Sequence, residues 1–569
     1  CQKRDDKCPP WSLKAKKISH DKIKKTIYYK HATLKVFDVP IFYFPTFWHP
    51  DPSVKRQSGF LIPFFSDSTT VGAGFGLPYY WAISSDKDLT FTPKFYGNEN
   101  ILLLNEYRQA YRNASLILDT SYTEGYKQTS SKKTAGSRNH IFAELDINLG
   151  EDKPYDSNLF FRIQRSSNDT YFRIHDINTT LVDSENTNLQ NEINYSYSKD
   201  NTFLNVKGNI YENLREKSNS RYEYIAPNIL FGKSFFSQRY GLINFESNAL
   251  HRNFEVNKHI TSLTNDIIWN PSSSVTNKGF VNTLEGRIKN TNYDAKNTTN
   301  YKTESTVNEL SSVISFKSSL PMKKDGERHS KIFTPNFMIR YAPFHMRDLS
   351  GDSTLLNYAN LYSTNKTSVI EDGFSTILGF DYKINQKNEE NEEKEKLTLS
   401  IGQVFNARKN KKLPARSSLD QRMSDLVGKI NYNFSELASV NYKFSVDHNY
   451  NDINYSEVSS VFNFGKIGFN LDYLEQQNHV GNEHYVNAGI SINLTDNSKF
   501  NFKTKKNFQT SSTELYDLSY QYSLDCLTAG VVYRREFYED SDIEKKDSLM
   551  FKITFVPFGG AKTPTFINP

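Results

Sequence analysis

The sequence has no long uninterrupted apolar run. None of its segments approaches the roughly 18 to 20 apolar residues that a membrane-spanning helix requires. A protein that crosses a membrane with helices is therefore excluded. The strands of a membrane barrel are not excluded, since each needs only ~9 to 11 residues with one apolar face.

Motifs for catalysis and for nucleotide binding are also missing. No Gly-x-Ser-x-Gly elbow is found, and the "GAGFG" stretch at residues 72–76 lies in a predicted hairpin rather than before a helix. No helix-turn-helix, KH or RNP-type pattern accompanies the lysines. His49, His175 and His345 have no identified catalytic partner. We therefore predict no catalytic residue, no cofactor and no nucleic-acid partner.

Cysteine is scarce, since Cys1, Cys8 and Cys526 are the only three. An odd number cannot pair completely within one chain. A zinc site made of Cys1, Cys8 and His20 would lack a fourth ligand at a suitable spacing, so we predict no metal site.

Aromatic residues, in contrast, are abundant, and Tyr, Phe and Trp together make up 14% of the 569 residues. This content opposes disorder, because aromatic rings drive burial. The net charge of +6 comes from 70 basic and 64 acidic residues spread along the chain, which indicates a mixed solvated surface. The length alone would suggest about four soluble domains, but no break in composition separates them.

Alternation of apolar and polar residues is the strongest structural signal. Apolar residues take every second position in three neighbouring segments, at residues 438–446, 467–473 and 486–494. Each segment is predicted to be a strand with one apolar face. The short polar turns between them predict an antiparallel meander.

The same spacing, extended from Arg56 to the C-terminus, predicts roughly two dozen strands at about 20 residues for each strand with its loop. An open sheet of that size would expose two edges, so closure is favoured. A barrel so wide cannot fill its lumen with side chains. The apolar residues at every second strand position, here called the apolar parity, must then face lipid. The predicted fold class is all-β, a large antiparallel transmembrane β-barrel. A soluble propeller or β-helix would show a fixed repeat, which is not found.

Three further segments complete the prediction for the barrel. Two charged runs, residues 318–330 and 385–396, are too polar for lipid or core and are predicted to be exposed loops. The alternating segment from Leu549 to Phe555 is predicted to be the strand that closes the barrel.

Two prolines, Pro63 and Pro78, occupy opposite arms of the first predicted hairpin, at residues 58–81. Proline cannot donate a ladder hydrogen bond. In a closed barrel the first strand must pair with the last, so these prolines would weaken that seam. They could equally mark strand ends or a bulge.

Nine segments in order along the chain carry a family signature. They are "VPIFYFPTFWHPDPSVKRQSGFLIP" from Val39, "LPYYWAISSDKDLTFTP" from Leu77, "NEYR" from Asn105, "NDTYFRIHDI" from Asn168, "PNFMIRYAPF" from Pro335, "IEDGFSTILGFDYK" from Ile370, "LSIGQVF" from Leu399, "SSLDQRMSDLVGKINY" from Ser417 and "YSLDCLTAGVVYRREF" from Tyr522. With these segments the chain resembles the LPS-assembly outer-membrane protein family (LptD, or organic-solvent-tolerance protein). The likeness is specific in the first hairpin and looser in the Asn- and Lys-rich middle.

The resemblance implies two domains: the C-terminal part of a periplasmic β-jellyroll at residues 1–55 and an outer-membrane barrel at residues 56–569. The chain starts at Cys1 without a Met or a leader segment, so we expect an N-terminal truncation that removes most of the jellyroll. By resemblance, the partners are lipopolysaccharide, an LptE-like plug lipoprotein inside the barrel, an LptA-like periplasmic bridge protein at the jellyroll, and outer-membrane lipids.

The resemblance also implies a function, which is to move lipopolysaccharide through the lumen and sideways into the outer leaflet of the outer membrane. Pro63 and Pro78 match the two prolines of the family's gate hairpin, which favours the weak-seam interpretation. Ile62 and Phe555 are then expected at the two lips of this lateral gate. The alternatives are a passive diffusion porin and, less favoured, an enzyme on a β-scaffold.

The same resemblance implies that the cysteines form a disulfide bond. In the family, disulfides tie the periplasmic domain to the far end of the barrel, and Cys526 lies in a segment that matches that position. A bond from Cys1 or Cys8 to Cys526 is one candidate, and a local bond between Cys1 and Cys8 is the other. The family often has two adjacent barrel cysteines, and this chain has one.

Overall fold

A computed structural model describes most of the chain. The described residues are 11–36, 39–51, 53–54, 56–61, 63–216, 220–298, 301–303, 305–343, 346–388, 392–509, 512–524, 527–537 and 545–555. Every sheet in this part of the chain is antiparallel, and none of its helices is long and apolar enough to cross a membrane.

A three-stranded sheet comes first. Its strands pair in the order β1-β2-β3. They are β1 (Trp11–Asp21), β2 (Thr26–Val36) and β3 (Val39–Pro50). Hydrogen bonds from the amide of Asp51 to the carbonyl oxygen of Lys25, and from Gln57 to Thr26, connect the end of this sheet to the start of the next element. This agrees with the predicted β-rich segment ahead of the barrel.

The remaining strands form one closed antiparallel barrel. Its first third contains β4 (Gly59–Phe60), β5 (Phe64–Ser68), β6 (Gly74–Gly76), β7 (Tyr79–Ala82), β8 (Lys87–Tyr96), β9 (Leu102–Ala110), β10 (Ala114–Gly125), β11 (Ala135–Asn148), β12 (Asp156–Ser166), α1 (Tyr171–Ile174), β13 (Asn188–Lys199) and β14 (Thr202–Asn213). Its middle third contains β15 (Tyr222–Ser237), β16 (Gly241–Phe254), β17 (Lys258–Asn270), β18 (Ser274–Val275), β19 (Val281–Lys296), β20 (Val307–Ser319), β21 (Met322–Asp325), β22 (His329–Ala342), β23 (Gly373–Lys387) and β24 (Glu393–Asn406).

The last third contains a 3₁₀ turn at Ala415–Ser417 and the strands β25 (Leu426–Ser435), β26 (Ala438–Val446), β27 (Ile453–Phe464), β28 (Ile467–Gln476), β29 (Glu483–Thr495), β30 (Ser498–Asn507), β31 (Ser512–Leu524), β32 (Leu527–Glu536) and β33 (Lys546–Phe555). Four strands are interrupted, so that β4 with β5, β6 with β7, β17 with β18 and β20 with β21 each act as one. Over the described residues the barrel thus has 26 strands, which confirms the predicted fold class.

The two ends of the barrel differ in the length of their connections. One end has tight turns such as residues 200–201 and 465–466, and the first sheet joins the barrel there. The other end has long loops, among them residues 167–187, 343–372 and 407–425. Short turns on the periplasmic side and long loops outside are typical of outer-membrane barrels.

The alternating segments place their apolar residues on one face of the sheet. Tyr442 is paired with Val458, Val458 with Tyr473, and Tyr473 with Val486, so the three predicted segments share that face. In β20 the outer face is exposed at Ile314, which is 48% accessible, whereas the next residue, Ser315, is 4% accessible. The apolar parity therefore faces outward and the polar parity faces the interior, as predicted.

Long loops fold into the interior and cover part of its polar wall. The loop at residues 167–187 packs on strands β8 to β14, where Tyr171 and Phe172 join a buried cluster with Leu102 and Phe142. A second cluster forms where the loops at residues 343–372 and 407–425 cover inner-face side chains on β22 to β25. The long-loop end of the lumen is therefore narrowed by the chain itself.

The prediction of exposed loops for the two charged runs is wrong in part. Residues 318–319 belong to β20 and residues 322–325 to β21, and the ends of residues 385–396 belong to β23 and β24. At the short-turn end the side chains of β21 are exposed on both faces of the strand. Polarity identified the exposure correctly but not the backbone conformation.

The parity of the wall can be tested with a matched pair of arginines. Leu518→Arg puts a charge on the outer face of β31, where the wild-type residue is 39% accessible. We expect it to destabilise the barrel in phospholipid vesicles by roughly 2–4 kcal/mol. Asn487→Arg, on the inner parity of β29, is the control and should change stability little in a denaturant titration. Equal effects would contradict the assigned parity.

Candidate functional site

The seam between the last and first strands has a short ladder. β33 is paired with β5 at four positions, from Ser548 with Ser68 to Phe551 with Phe65. On its other side β33 is paired with β32 at ten positions, from Lys546 to Phe555. The paired part of the seam lies at the long-loop end, so the half of β33 near the short-turn end is held on one side alone within the described residues.

Pro63 lies where this ladder stops. Backbone groups of alternate residues in β5 face opposite neighbours, and the amide of Thr69 donates to the carbonyl oxygen of Asp547 at 3.1 Å. Odd-numbered residues of β5 therefore face β33. Pro63 shares that parity and would stand opposite Ile553 if the register continued. The hydrogen bond that Pro63 cannot donate is thus one that would close the seam.

Two more prolines sit at the same level of the wall. The amide of Leu61 donates to the carbonyl oxygen of Pro78 at 2.8 Å, and the amide of Leu77 donates to that of Pro93 at 3.2 Å. The N and O atoms of one strand residue face the same neighbour. Pro78 therefore lacks a donor toward the first strand, and Pro93 lacks one toward the second. Three successive interfaces each lose one hydrogen bond beside the seam.

The other predicted gate residues are described less fully. Ile62 lies outside the described residues. Phe555 is the last residue of β33, where it is paired with Leu527. The three candidate disulfide residues, Cys1, Cys8 and Cys526, also lie outside the described residues, and their pairing stays a prediction.

The histidines singled out in the sequence lie apart from the seam, with one exception. His49 is in β3, with its Nε2 atom 2.8 Å from the hydroxyl of Tyr29. His20 pairs with Asp51 at 3.0 Å. His345 lies outside the described residues. His175 is buried in the loop at residues 167–187, which spans the seam.

That loop contacts the first strands of the barrel. The hydroxyl of Tyr96, in β8, donates to the carbonyl oxygen of His175 at 3.3 Å. Lys94 Nζ, on the same strand, donates to the carbonyl oxygen of Asp176 at 3.2 Å. The hydroxyl of Thr180 donates to Glu106 of β9 at 2.7 Å.

The loop also contacts the next-to-last strand. Arg173 lies 3.6 Å from Glu536, and Glu185 lies 3.7 Å from Arg534, both on the inner parity of β32. The charges of Lys94, Lys546 and Arg534 all act on Asp176, and although burial opposes them they hold the pKa of its carboxyl below its ordinary value. One segment therefore joins both sides of the seam from inside the barrel.

Burial lowers the pKa of His175 from its ordinary 6.5 to about 3, and the positive charges of Lys94, Arg138 and Lys546 add to the effect. The docked loop accordingly holds a neutral imidazole. Protonation favours any state in which the ring reaches water.

Comparison with known proteins identifies the family. The profile described as "LPS transport system D" (LptD) matches residues 151–506, and a second profile, "LptD protein", matches residues 27–238. The chain belongs to the LptD family. Family membership and the closed barrel place the protein in the outer membrane, with its N-terminal β-rich region on the periplasmic side.

Curated relatives cover the chain to different extents. An LPS-assembly protein LptD of Shewanella frigidimarina is 25% identical over 423 residues, which is 70% of this chain and 52% of the relative. One from Shewanella oneidensis is 42% identical over 105 residues, or 18% of this chain and 14% of the relative. The chain thus spans about half of the first relative's length and a small part of the second's.

Solved structures give a weaker likeness. The alcaligin outer membrane receptor FauA from Bordetella pertussis is 6% identical with a TM-score of 0.28, over 93% of this chain and 81% of that chain. At this score the likeness supports no conclusion about the LptD family member described here.

Sequence reasoning missed two features of this site. Pro93 carried a usable signal, because it follows Pro63 and Pro78 on the next strand of the wall. The charged contacts of the loop carried none, since Lys94 and Asp176 are 82 positions apart and meet only in the closed barrel.

The buried imidazole predicts how loop docking depends on pH. The folded pKa of His175, about 3, lies below the unfolded value of 6.5, so docking is most stable above pH 6.5 and weakens as the pH falls toward 3. Hydrogen exchange of the amides at residues 171–177 should accelerate over that range. His175→Leu should remove most of this dependence, and an unchanged pH profile in that variant would contradict the assignment.

Proposed function

We propose that this protein inserts lipopolysaccharide into the outer leaflet of the outer membrane, through the barrel lumen and a lateral gate between its first and last strands. The observation that carries the proposal is the ladder of four residue pairs at the seam, against ten on the other side of β33. The names of the LptD relatives support the choice of substrate.

The chemistry of the cargo favours a sideways route. The acyl chains of a glycolipid belong in hydrocarbon and its sugars belong in water. A slit in the wall lets each part stay in its own phase, whereas an axial pore would leave the acyl chains in water. In a closed barrel every backbone group in the bilayer needs a partner, so a slit requires a place where partners are already missing. The three prolines supply that place.

The gate in this proposal opens from the short-turn end. The unpaired half of β33 lies there, and Ile62 and Phe555 would form the two lips. At the opposite end the loop at residues 167–187 and the four ladder pairs hold the strands together. The first hairpin would move away from β33 while the long-loop end stays joined.

The domains and partners follow from the same proposal. Residues 1–55 would be the end of a periplasmic β-jellyroll that receives the lipid from an LptA-like bridge protein, and residues 56–569 the barrel. An LptE-like lipoprotein would occupy the lumen beside the inward-folded loops. A disulfide from Cys1 or Cys8 to Cys526 would hold the jellyroll under the seam. The chain would act as a non-enzymatic conduit.

Replacing the seam prolines tests the gate. Pro63→Ala returns a donor toward the last strand and Pro78→Ala returns one within the first hairpin, each worth about 0.5–1.5 kcal/mol when paired. The first strands should then separate from β33 less readily, and lipopolysaccharide display at the cell surface should fall. Pro335→Ala, on β22 and remote from the seam, is the matched control and should export normally. Normal display in the double variant would count against the gate.

A crosslink across the unpaired half offers an independent test. Leu61→Cys and Phe555→Cys lie on the two strands that border the unpaired half, beyond the last seam pair, Phe551 with Phe65. Oxidation should stop lipopolysaccharide export, and reduction should restore it. The control pair, Ala529→Cys with Ile553→Cys, joins residues already opposite each other in β32 and β33 and should leave export intact. Continued lipopolysaccharide export after oxidation would exclude the lateral route. It would leave the passive diffusion porin as the alternative function.

A further inference from the structure

Three loops at the long-loop end bring together a compact set of metal-ligating side chains. Asp425 ends the loop after β24, Asp447 and His448 lie in the loop after β26, and His479 lies in the loop after β28. Ligand atoms of Asp425, Asp447 and His448 all lie within 4.8 Å of one another. His479 is outside this set of three and adjoins it through Asp425, with its Nε2 atom 2.9 Å from Asp425 Oδ2. This cluster is remote in sequence from the seam prolines and from the loop at residues 167–187.

Asp425 forms the floor of the cluster and is fully buried. Its Oδ2 atom accepts a hydrogen bond from Ser445 at 3.2 Å and lies 2.9 Å from His479 Nε2. Its Oδ1 atom has no hydrogen-bond partner among the described residues. Buried carboxylate oxygens are normally paired, because leaving one unsatisfied is costly. A bound cation would pair this buried oxygen.

The other side of the cluster is more accessible. His448 Nδ1 lies 2.9 Å from Asp447 Oδ1 and 3.1 Å from the hydroxyl oxygen of Ser418. The side chains of His448, His479 and Asp447 are 29%, 26% and 15% accessible. A buried acidic floor below partly exposed imidazoles leaves an entry path for an ion.

A serine nucleophile is excluded by the geometry. In a Ser-His-Asp relay the serine and the carboxylate bind opposite nitrogens of the ring. Here the hydroxyl of Ser418 faces His479 Nε2 at 3.4 Å, the same nitrogen that faces Asp425. The same holds at His448, where Nδ1 faces both Ser418 and Asp447. Oxygens converging on one ring nitrogen resemble a ligand shell rather than a relay.

Arg416 holds the cluster together from outside. Its Nε atom donates to the carbonyl oxygen of Val480 at 2.6 Å, next to His479. Its Nη1 atom donates to the carbonyl oxygen of Ser353 at 2.8 Å. Two of the three loops that supply the ligands, those after β24 and β28, are therefore joined without the ion, which reduces the ordering that binding requires.

We propose that Asp425, Asp447, His448 and His479 bind one divalent transition-metal ion of the zinc class, which joins three loops at the long-loop end of the barrel. Two carboxylates and two imidazoles match the ligands of zinc, whereas calcium and magnesium prefer oxygen ligands alone. The ion would neutralise the buried carboxylate and pair its free oxygen.

Cobalt(II) provides a direct probe on the full-length chain in detergent micelles, with its cysteines alkylated. Binding at this site should produce visible d–d absorption that one equivalent of Zn²⁺ abolishes. In His448→Ala with His479→Ala, the affinity should fall at least about tenfold, the scale of losses that even outer-shell partners produce. His251→Ala with His259→Ala, at a stacked histidine pair on β16 and β17, is the matched control and should bind like wild type.

Three outcomes would overturn the proposal: no Co²⁺ absorption in the wild type, equal binding in the cluster variant, or loss of binding in the control. Because the cluster histidines are partly exposed, heat-modifiable migration on gels should show that all variants fold. Asp425→Asn is the second variant, since it keeps the shape of the buried side chain, and it should also lose at least about tenfold in affinity. The metal site does not depend on the proposed gate, because the experiment measures Co²⁺ binding and not lipopolysaccharide export.

Discussion

The structure depends on the backbone hydrogen-bond ladder of a closed antiparallel ring. In hydrocarbon, every strand needs partners on both sides, and an unpaired amide or carbonyl costs several kcal/mol. Among the described residues, the barrel meets this requirement along most of its circumference and relaxes it beside β33, where the seam ladder has four pairs. The relaxation is built from residues that have no amide donor, so the open half of the seam leaves fewer groups unsatisfied than an ordinary broken ladder would.

The position of the missing donors matters as much as their number. A proline at an even position of β5 would have weakened the first hairpin instead of the seam, because alternate residues face opposite neighbours. Pro63 has the parity that faces the last strand, and Pro78 and Pro93 carry the same defect into the next two interfaces. Because proline has no amide donor, its position in the strand decides which neighbouring strand is held less tightly.

The inward-folded loops complement this loosened wall. At the long-loop end, the loop at residues 167–187 makes charged contacts with strands on both sides of the seam and joins them there. On the opposite side of the lumen, loops after β22 and β24 bury apolar side chains against the inner wall. A barrel too wide to be filled by its own strands is therefore partly filled by its connections.

The sequence by itself determined the all-β class, the outward apolar face and the hairpin with its two prolines, because these rest on a period of two and on the chemistry of single residues. It misjudged the charged runs, since polarity reports exposure and not backbone conformation. Only the tertiary structure decided the parity of Pro63 toward the last strand, the contacts of the loop at residues 167–187 across the seam and the meeting of Asp425 with His448 and His479. Each of these depends on register and closure between distant segments, and such contacts leave no local pattern in a single chain.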